Sequence, residues 1–177
     1  ELTKLELLEL SEDQLDNILW SAVGSVPKLE SLYLHGDGVA DASIGKMPAL
    51  ANLRVLTLKN GQKKLSGETI TAAVRRVPAL KELVVSHNEL SDGDAKSLES
   101  LTLLTRLTLT DNDITAEGIN SLHVALPGCR IESDHGTFEP TVPAMSPDRR
   151  AAEWVLSVGG SVGIDTPDGT RLLVEDR

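Results

Sequence analysis

Four histidines are the side chains of this sequence best suited to acid–base or metal chemistry. His35 and Asp37 lie in the stretch HGDG, a spacing that suits proton transfer or metal binding. His87, His123 and His135 are scattered along the chain, and no spacing among the four histidines is typical of a zinc site. His35 also falls on a solvent-facing strand position and Asp37 on a turn position, so we interpret both as structural. The sequence therefore predicts no metal ligand and no cofactor.

The remaining chemical motifs also favour structural interpretations. Cys129 takes the place of a strand leucine, which predicts a small buried apolar side chain rather than a nucleophile. The stretch DTPDG at 165–169 lacks the further oxygen ligands of a calcium loop and predicts a turn. The basic cluster KNGQKK at 59–64 predicts an exposed loop. Because the chain also lacks a phosphate loop, a nucleotide fingerprint and a nucleophile elbow, we predict no catalytic residue and no enzyme activity in this segment.

Composition narrows the classes of partner and the means of packing. The chain has 177 residues and a formal net charge of -10, and an acidic surface repels the phosphate backbone of nucleic acids. Aromatic residues are only 2% of the total, so aliphatic side chains must form the core. No apolar run approaches the roughly 18 residues of a membrane span. The chain begins at Glu1, inside a leucine pattern, which suggests a fragment of a longer protein and leaves localisation unpredicted.

The elements that must position these side chains come from an internal repeat. The template L-x-x-L-x-L-x-x-N-x-L starts at positions separated by 24, 24, 27 and 24 residues. The five starts are Leu5, Leu29, Leu53, Leu80 and Leu104. The third unit carries extra residues before Leu65, and Leu50 is an alternative start for it. A final degenerate unit begins at LPGCRI.

This pattern resembles the leucine-rich repeat family, in a bacterial form with repeats of about 24 residues. Alternation in x-L-x-L-x predicts a strand with leucines facing inward, and spacings of three and four predict a helix in the second half of each unit. The predicted fold class is therefore α/β, a solenoid with a parallel concave sheet and convex helices over residues 1–132. The resemblance implies that Asn88 and Asn112 form an internal ladder. The predicted helical stripes are Ile18, Leu19, Ala22, Val23 and Val26; Ile70, Ala73, Val74 and Val77; Ala95, Leu98 and Leu101; and Ile119, Leu122 and Leu126.

The C-terminal part differs in pattern. Residues 133–146 contain prolines and no apolar period, which predicts a linker. Residues 147–177 predict a helix followed by a β-hairpin that turns at 167–169. The segment DRRAAEWVLSVGGSV resembles a stretch that precedes repeat arrays in large bacterial leucine-rich repeat proteins. It implies the start of a second array, with a cap folded onto the first array as the alternative.

A partner of such a fold is expected on the concave strand face, which is extended and rigid. Tyr33 is its only aromatic residue and, between His35 and Lys59, a reasonable anchor for a protein partner. The predicted partner-binding residues are Glu9, Tyr33, His35, Thr57, Lys59, Val84, Ser86, His87, Thr108, Thr110 and Asp111.

The leading functional prediction is a non-enzymatic module for protein–protein interaction. The first alternative is a regulatory or substrate-recruiting domain of a larger multidomain enzyme whose catalytic part lies outside this segment. The second is a structural spacer in an extended array.

Overall fold

A computed structural model describes residues 4–11, 17–59, 65–141, 161–165 and 171–175. The chain divides into two compact domains, Glu1–Thr141 and Val142–Arg177, whereas the word unit is kept for a single repeat. The boundary falls inside the predicted linker. The predicted helix at 147–158 and the turn at 167–169 lie outside the described residues.

The first domain alternates strands and helices around one sheet. Its strands are β1 (Leu7–Ser11), β2 (Ser31–His35), β3 (Val55–Lys59), β4 (Glu82–Ser86), β5 (Arg106–Thr108), β6 (Arg130–Ser133) and β7 (Gly136–Phe138). Its helices are α1 (Asn17–Gly24), α2 (Asp41–Ile44), α3 (Gly67–Val74), α4 (Asp92–Leu98) and α5 (Ala116–Ala125). The seven strands lie side by side in chain order, and each neighbouring pair from β1 to β6 is parallel. The predicted α/β class is therefore confirmed.

The strand register follows the leucine pattern. Leu8, Leu32, Leu56, Leu83 and Leu107 are aligned across the sheet. From β2 to β5 these leucines are fully buried, as expected of inward-facing strand positions. The alignment of Val55 with both Ser31 and Glu82 favours the start at Leu53 over the start at Leu50. Extra residues of the third unit consequently fall between Lys59 and Leu65.

The helical stripes agree with the prediction except in α1. The predicted residues of α4, α5 and the turns after them are buried. Ile70 and Ala73 of α3 and Val77 after it are buried too, and Val74 is half-buried against the core. In α1, however, Ile18 is 80% exposed and Ala22 is exposed, so their placement in the core was wrong. Trp20 is buried instead, and its indole N–H donates to the carbonyl of Ser43 in the next unit at 2.9 Å. This hydrogen bond connects α1 to the next repeat, and the predicted Val23 and Val26 are buried as expected.

Two asparagines connect consecutive units inside the sheet-to-helix turns. The Oδ1 atom of Asn112 accepts hydrogen bonds from the backbone N–H groups of Asn88 and Leu90, each at 3.2 Å. Its Nδ2 atom donates to the carbonyls of Val85 (2.9 Å), Leu109 (3.1 Å) and Thr110 (3.2 Å). One amide therefore satisfies backbone groups that a bend would otherwise leave unpaired.

Asn88 has a similar position one unit earlier. It is only 2% exposed, and its Nδ2 atom donates to the carbonyls of Leu58 and Ser86 at 3.0 and 2.7 Å. Leu58 belongs to β3, the preceding strand. Asn88 and Asn112 thus both bond to the unit before their own.

Carboxylates connect the N-termini of neighbouring helices. The carboxylate of Asp92, the first residue of α4, accepts from the backbone N–H and the hydroxyl of Thr115, both at 2.8 Å. Asp41 of α2 accepts in the same way from Ser66, at 2.8 and 2.9 Å. Ser66 and Thr115 are the N-caps of α3 and α5. These bonds satisfy groups that a helix start leaves open and fix the spacing of adjacent helices.

A β-hairpin ends the parallel order of the sheet. Strand β7 pairs antiparallel with β6, and Phe138 packs against the core. The prediction of a linker was therefore wrong for residues 133–138. The apolar period is missing because the hairpin depends on a tight turn, in which Gly136 has a φ of 111° and Ser133 accepts from the N–H of His135 at 3.2 Å.

In the second domain, the structure describes only the two strands. Strand β8 (Ser161–Asp165) pairs antiparallel with β9 (Arg171–Glu175), and Val162 lies opposite Val174. These paired strands correspond to the two strands of the predicted hairpin.

Candidate functional site

The register places most of the predicted partner-binding residues on one face of the sheet. Glu9, Tyr33, Thr57, Val84 and Thr108 form one row of aligned positions. A second row consists of Ser11, His35, Lys59 and Ser86. Since the alternate residues of the same strands are inward leucines and valines, both rows lie on the face opposite the core. We call this surface the open face.

Two residues of the open face are not accessible. Thr57 is 4% exposed and Ser86 is 3% exposed, so their predicted availability to a partner was wrong. Thr57 is a short side chain aligned between Tyr33 and Val84, whose larger side chains flank it on both sides. Alternation identifies the face on which a residue lies, but its exposure also depends on the size of its neighbours.

One group of accessible side chains lies on β1 to β3. The Nε2 atom of His35 is 3.3 Å from Oε1 of Glu9, and their side chains are 29% and 66% exposed. Tyr33 is half-buried beside them and Lys59 is exposed on the next strand. A half-buried ring flanked by both charge signs is well suited to an interface, because its amphipathic side chain has few rotatable bonds.

A second group lies where β4 and β5 end. The Nε2 atom of His87 is 3.4 Å from Oδ2 of Asp111, and both side chains are more than half exposed. Both residues have positive φ values, 57° and 56°, as does Gly36 (93°) at the equivalent place after β2. This recurring left-handed conformation turns the chain out of each strand and carries the side chains of His87 and Asp111 to the rim of the open face.

Asp134 also belongs to this rim and was not predicted. Its Oδ2 atom accepts from the backbone N–H of Asp111 at 2.8 Å. Asp134 lies in the turn between β6 and β7, the hairpin that the sequence did not reveal. Thr110 is half-buried next to this group.

The histidines occupy separate settings. His35 contacts Glu9 rather than Asp37, and the His123 ring packs against Phe138 with centroids 5.4 Å apart. The Nε2 atom of His135 is 2.8 Å from the carbonyl oxygen of Ile114. Within the described parts of the chain, no group of three or more His, Cys, Asp or Glu side chains is arranged to hold a metal ion. Of the basic stretch at 59–64, only Lys59 is among the described residues.

Cys129 is enclosed by the core. It is 1% exposed, and burial raises the pKa of its thiol from the ordinary value of 9.0 to about 12. The predicted role as a small buried side chain is confirmed.

We expect native Cys129 to resist a thiol reagent such as a disulfide dye at pH 8. A pKa of about 12 in place of 9.0 lowers the thiolate fraction about a thousandfold, and burial also blocks access. The absorbance of the released dye should appear only after urea is added. Native protein reacting as fast as unfolded protein would contradict the buried placement.

No protein-family model and no curated protein sequence matches the chain. Among the described residues, no helix has the length and apolar character needed to cross a membrane.

Proposed function

We propose that the domain ending at Thr141 is a leucine-rich repeat module. It binds a protein partner through its open face and performs no catalysis itself. The observation that best supports this proposal is the unbroken parallel register from β1 to β6. It holds Tyr33, His35 and Lys59 on one surface of a single sheet, with His87 and Asp111 at the rim of that surface.

Three features of this domain support its assignment as a leucine-rich repeat module. Leucines alternate on the strands, strands and helices alternate along the chain, and Asn112 connects the turns of consecutive units. These features make the sheet a rigid platform, because each strand is fixed by its neighbours and by the helix packed behind it.

A protein partner fits the open face better than a small molecule or a nucleic acid. The face combines a tyrosine, two histidines, a lysine and the carboxylates of Glu9, Asp111 and Asp134, which suits the mixed polar surface of a protein. The net charge of -10 disfavours nucleic acid. The proposed anchor is Tyr33, since interface energy concentrates in a few amphipathic side chains with well-packed neighbours.

The test is the affinity of variants for a partner captured on immobilised protein. We expect Tyr33→Ala to weaken binding at least about tenfold and His87→Ala about fivefold, in line with losses of 1–2 kcal/mol at interface anchors. Ile18→Ala is the control, because Ile18 is a large exposed side chain on a helix. Unchanged affinity in both open-face variants would contradict the proposal.

A further inference from the structure

A half-open apolar groove lies between the third and fourth units, away from the open face. It has a volume of about 240 Å³. Its walls come from the segments that follow α3 and α4, chiefly Val77, Leu80, Leu101 and Leu103, with Arg75 also lining it.

Leu103 is an unusual residue for its place in the unit. By strand register it corresponds to Lys28, Asn52 and Ala79, which are polar or small. The side chain of Asn52 donates to the carbonyl of Pro27 in the preceding unit at 2.7 Å. Leucine cannot make the equivalent bond to Pro78, and Leu103 instead stays 48% exposed at the edge of the groove. Where Asn52 makes a polar bond between repeats, Leu103 thus forms an accessible apolar wall.

Arg75 adds a positive charge to this wall. The guanidinium of Arg76 donates to the carbonyls of Gly45 and Met47, and Arg54 and Arg106 contact glutamates. The guanidinium of Arg75, by contrast, makes no hydrogen bond or ion pair with any other part of the chain that the structure describes. A planar cation beside apolar side chains complements a carboxylate on an apolar group.

We propose that this groove binds a small apolar carboxylate, with its hydrocarbon part between Leu101 and Leu103 and its carboxylate on Arg75. The volume sets the size of the ligand. A cavity of about 150 Å³ accommodates benzene, whereas pockets for drug-sized ligands begin at about 300 Å³. One aromatic ring or a short alkyl chain, carrying a carboxylate a few bonds away, matches the space between these limits.

This site does not depend on the proposed function of the open face. The two surfaces share no residue, so failure of either proposal leaves the other standing. A ligand of this size in a half-open groove is expected to have a dissociation constant on the order of 1 mM.

The test is an NMR titration of the backbone amides of the full chain with 3-phenylpropanoate, up to about tenfold above that constant. The neutral 3-phenylpropanamide serves as the uncharged analogue. We expect saturable shifts confined to residues 74–80 and 100–104. The absence of saturable shifts there, or saturable shifts centred elsewhere, overturns the proposal.

Two variants separate the contributions of charge and of the apolar wall. Arg75→Gln should weaken 3-phenylpropanoate about two- to fivefold, the range of an exposed ion pair, and leave the amide unaffected. Leu103→Asn restores the residue type found at Asn52 and should abolish binding of both probes without unfolding the protein. Equal weakening of both probes by Arg75→Gln, or wild-type affinity in Leu103→Asn, refutes the assignment.

Arg54→Gln and Val124→Asn are the matched controls. Arg54 is an exposed arginine outside the groove, and Val124 is an apolar side chain that is 73% exposed on α5. Both variants should bind the two probes as the wild type does, and a loss of binding in either would count against a local site.

Discussion

Replacing Gly67 with alanine is expected to destabilise the protein by about 2–3 kcal/mol. Gly67 is the first residue of α3, where alanine would be favoured on helix propensity alone. However, a Cβ atom at this position would lie 2.2 Å from the carbonyl oxygen of Asp94 and 2.7 Å from its Cα atom. Because those are backbone atoms of α4, relief requires the two helices to separate. Urea denaturation followed by circular dichroism measures the loss.

Gly93→Ala is the matched control and should have the opposite sign. Gly93 lies in α4, and the nearest atom to its added Cβ would be Oγ of Ser91 at 3.6 Å, an ordinary contact. With space available, alanine should stabilise the helix by about 0.5–1 kcal/mol. Similar effects of the two substitutions would show that close packing of α3 against α4 does not control the outcome.

Asn112→Ala is expected to cost about 3 kcal/mol of unfolding free energy, because unpaired buried polar groups cost about 1–3 kcal/mol each. The substitution leaves the N–H groups of Asn88 and Leu90 without their acceptor and the carbonyl of Val85 without its donor. The midpoint of urea denaturation should fall while its slope stays constant.

Asp113→Ala provides the comparison for this variant. Asp113 is the exposed neighbour of Asn112, so its removal should change stability by less than about 0.5 kcal/mol. A loss below about 1 kcal/mol in Asn112→Ala would mean that the amide is not the connection between the fourth and fifth units.

The strand order and the buried face were predictable because one physical pattern specifies both. Side chains alternate along a strand, so leucines at every second position indicate which face is buried. The period of the units then aligns Leu32, Leu56, Leu83 and Leu107 in neighbouring strands. The repeated Asn and Asp positions likewise identified the turns correctly at Asn88 and Asn112.

Other features of the fold depend on contacts between repeats, and the sequence pattern of a single repeat does not predict such contacts. Trp20 is buried and bonds to Ser43, a residue 23 positions away, whereas the apolar Ile18 is exposed. The hairpin of β6 and β7 depends on a tight turn and on Phe138 meeting the core, so hydrophobic periodicity does not reveal it.

The candidate site shows the same division. Membership of the open face followed from alternation, which placed Tyr33 and His35 on it correctly. The burial of Thr57 followed from the size of its neighbours, and the contact of Asp134 with Asp111 followed from the unrecognised hairpin. A sequence signal for the rim did exist, since Gly36 marks the left-handed position that His87 and Asp111 also adopt.

We propose that the open face, and not the helical side, contacts a protein partner. The most direct test of this proposal is photocrosslinking with a photoreactive phenylalanine analogue placed at Tyr33 in one protein and at Ile18 in another, each mixed with the captured partner. We predict a crosslinked complex from position 33 and none from position 18, which lies on α1. Crosslinking from position 18 but not from position 33 would contradict the account.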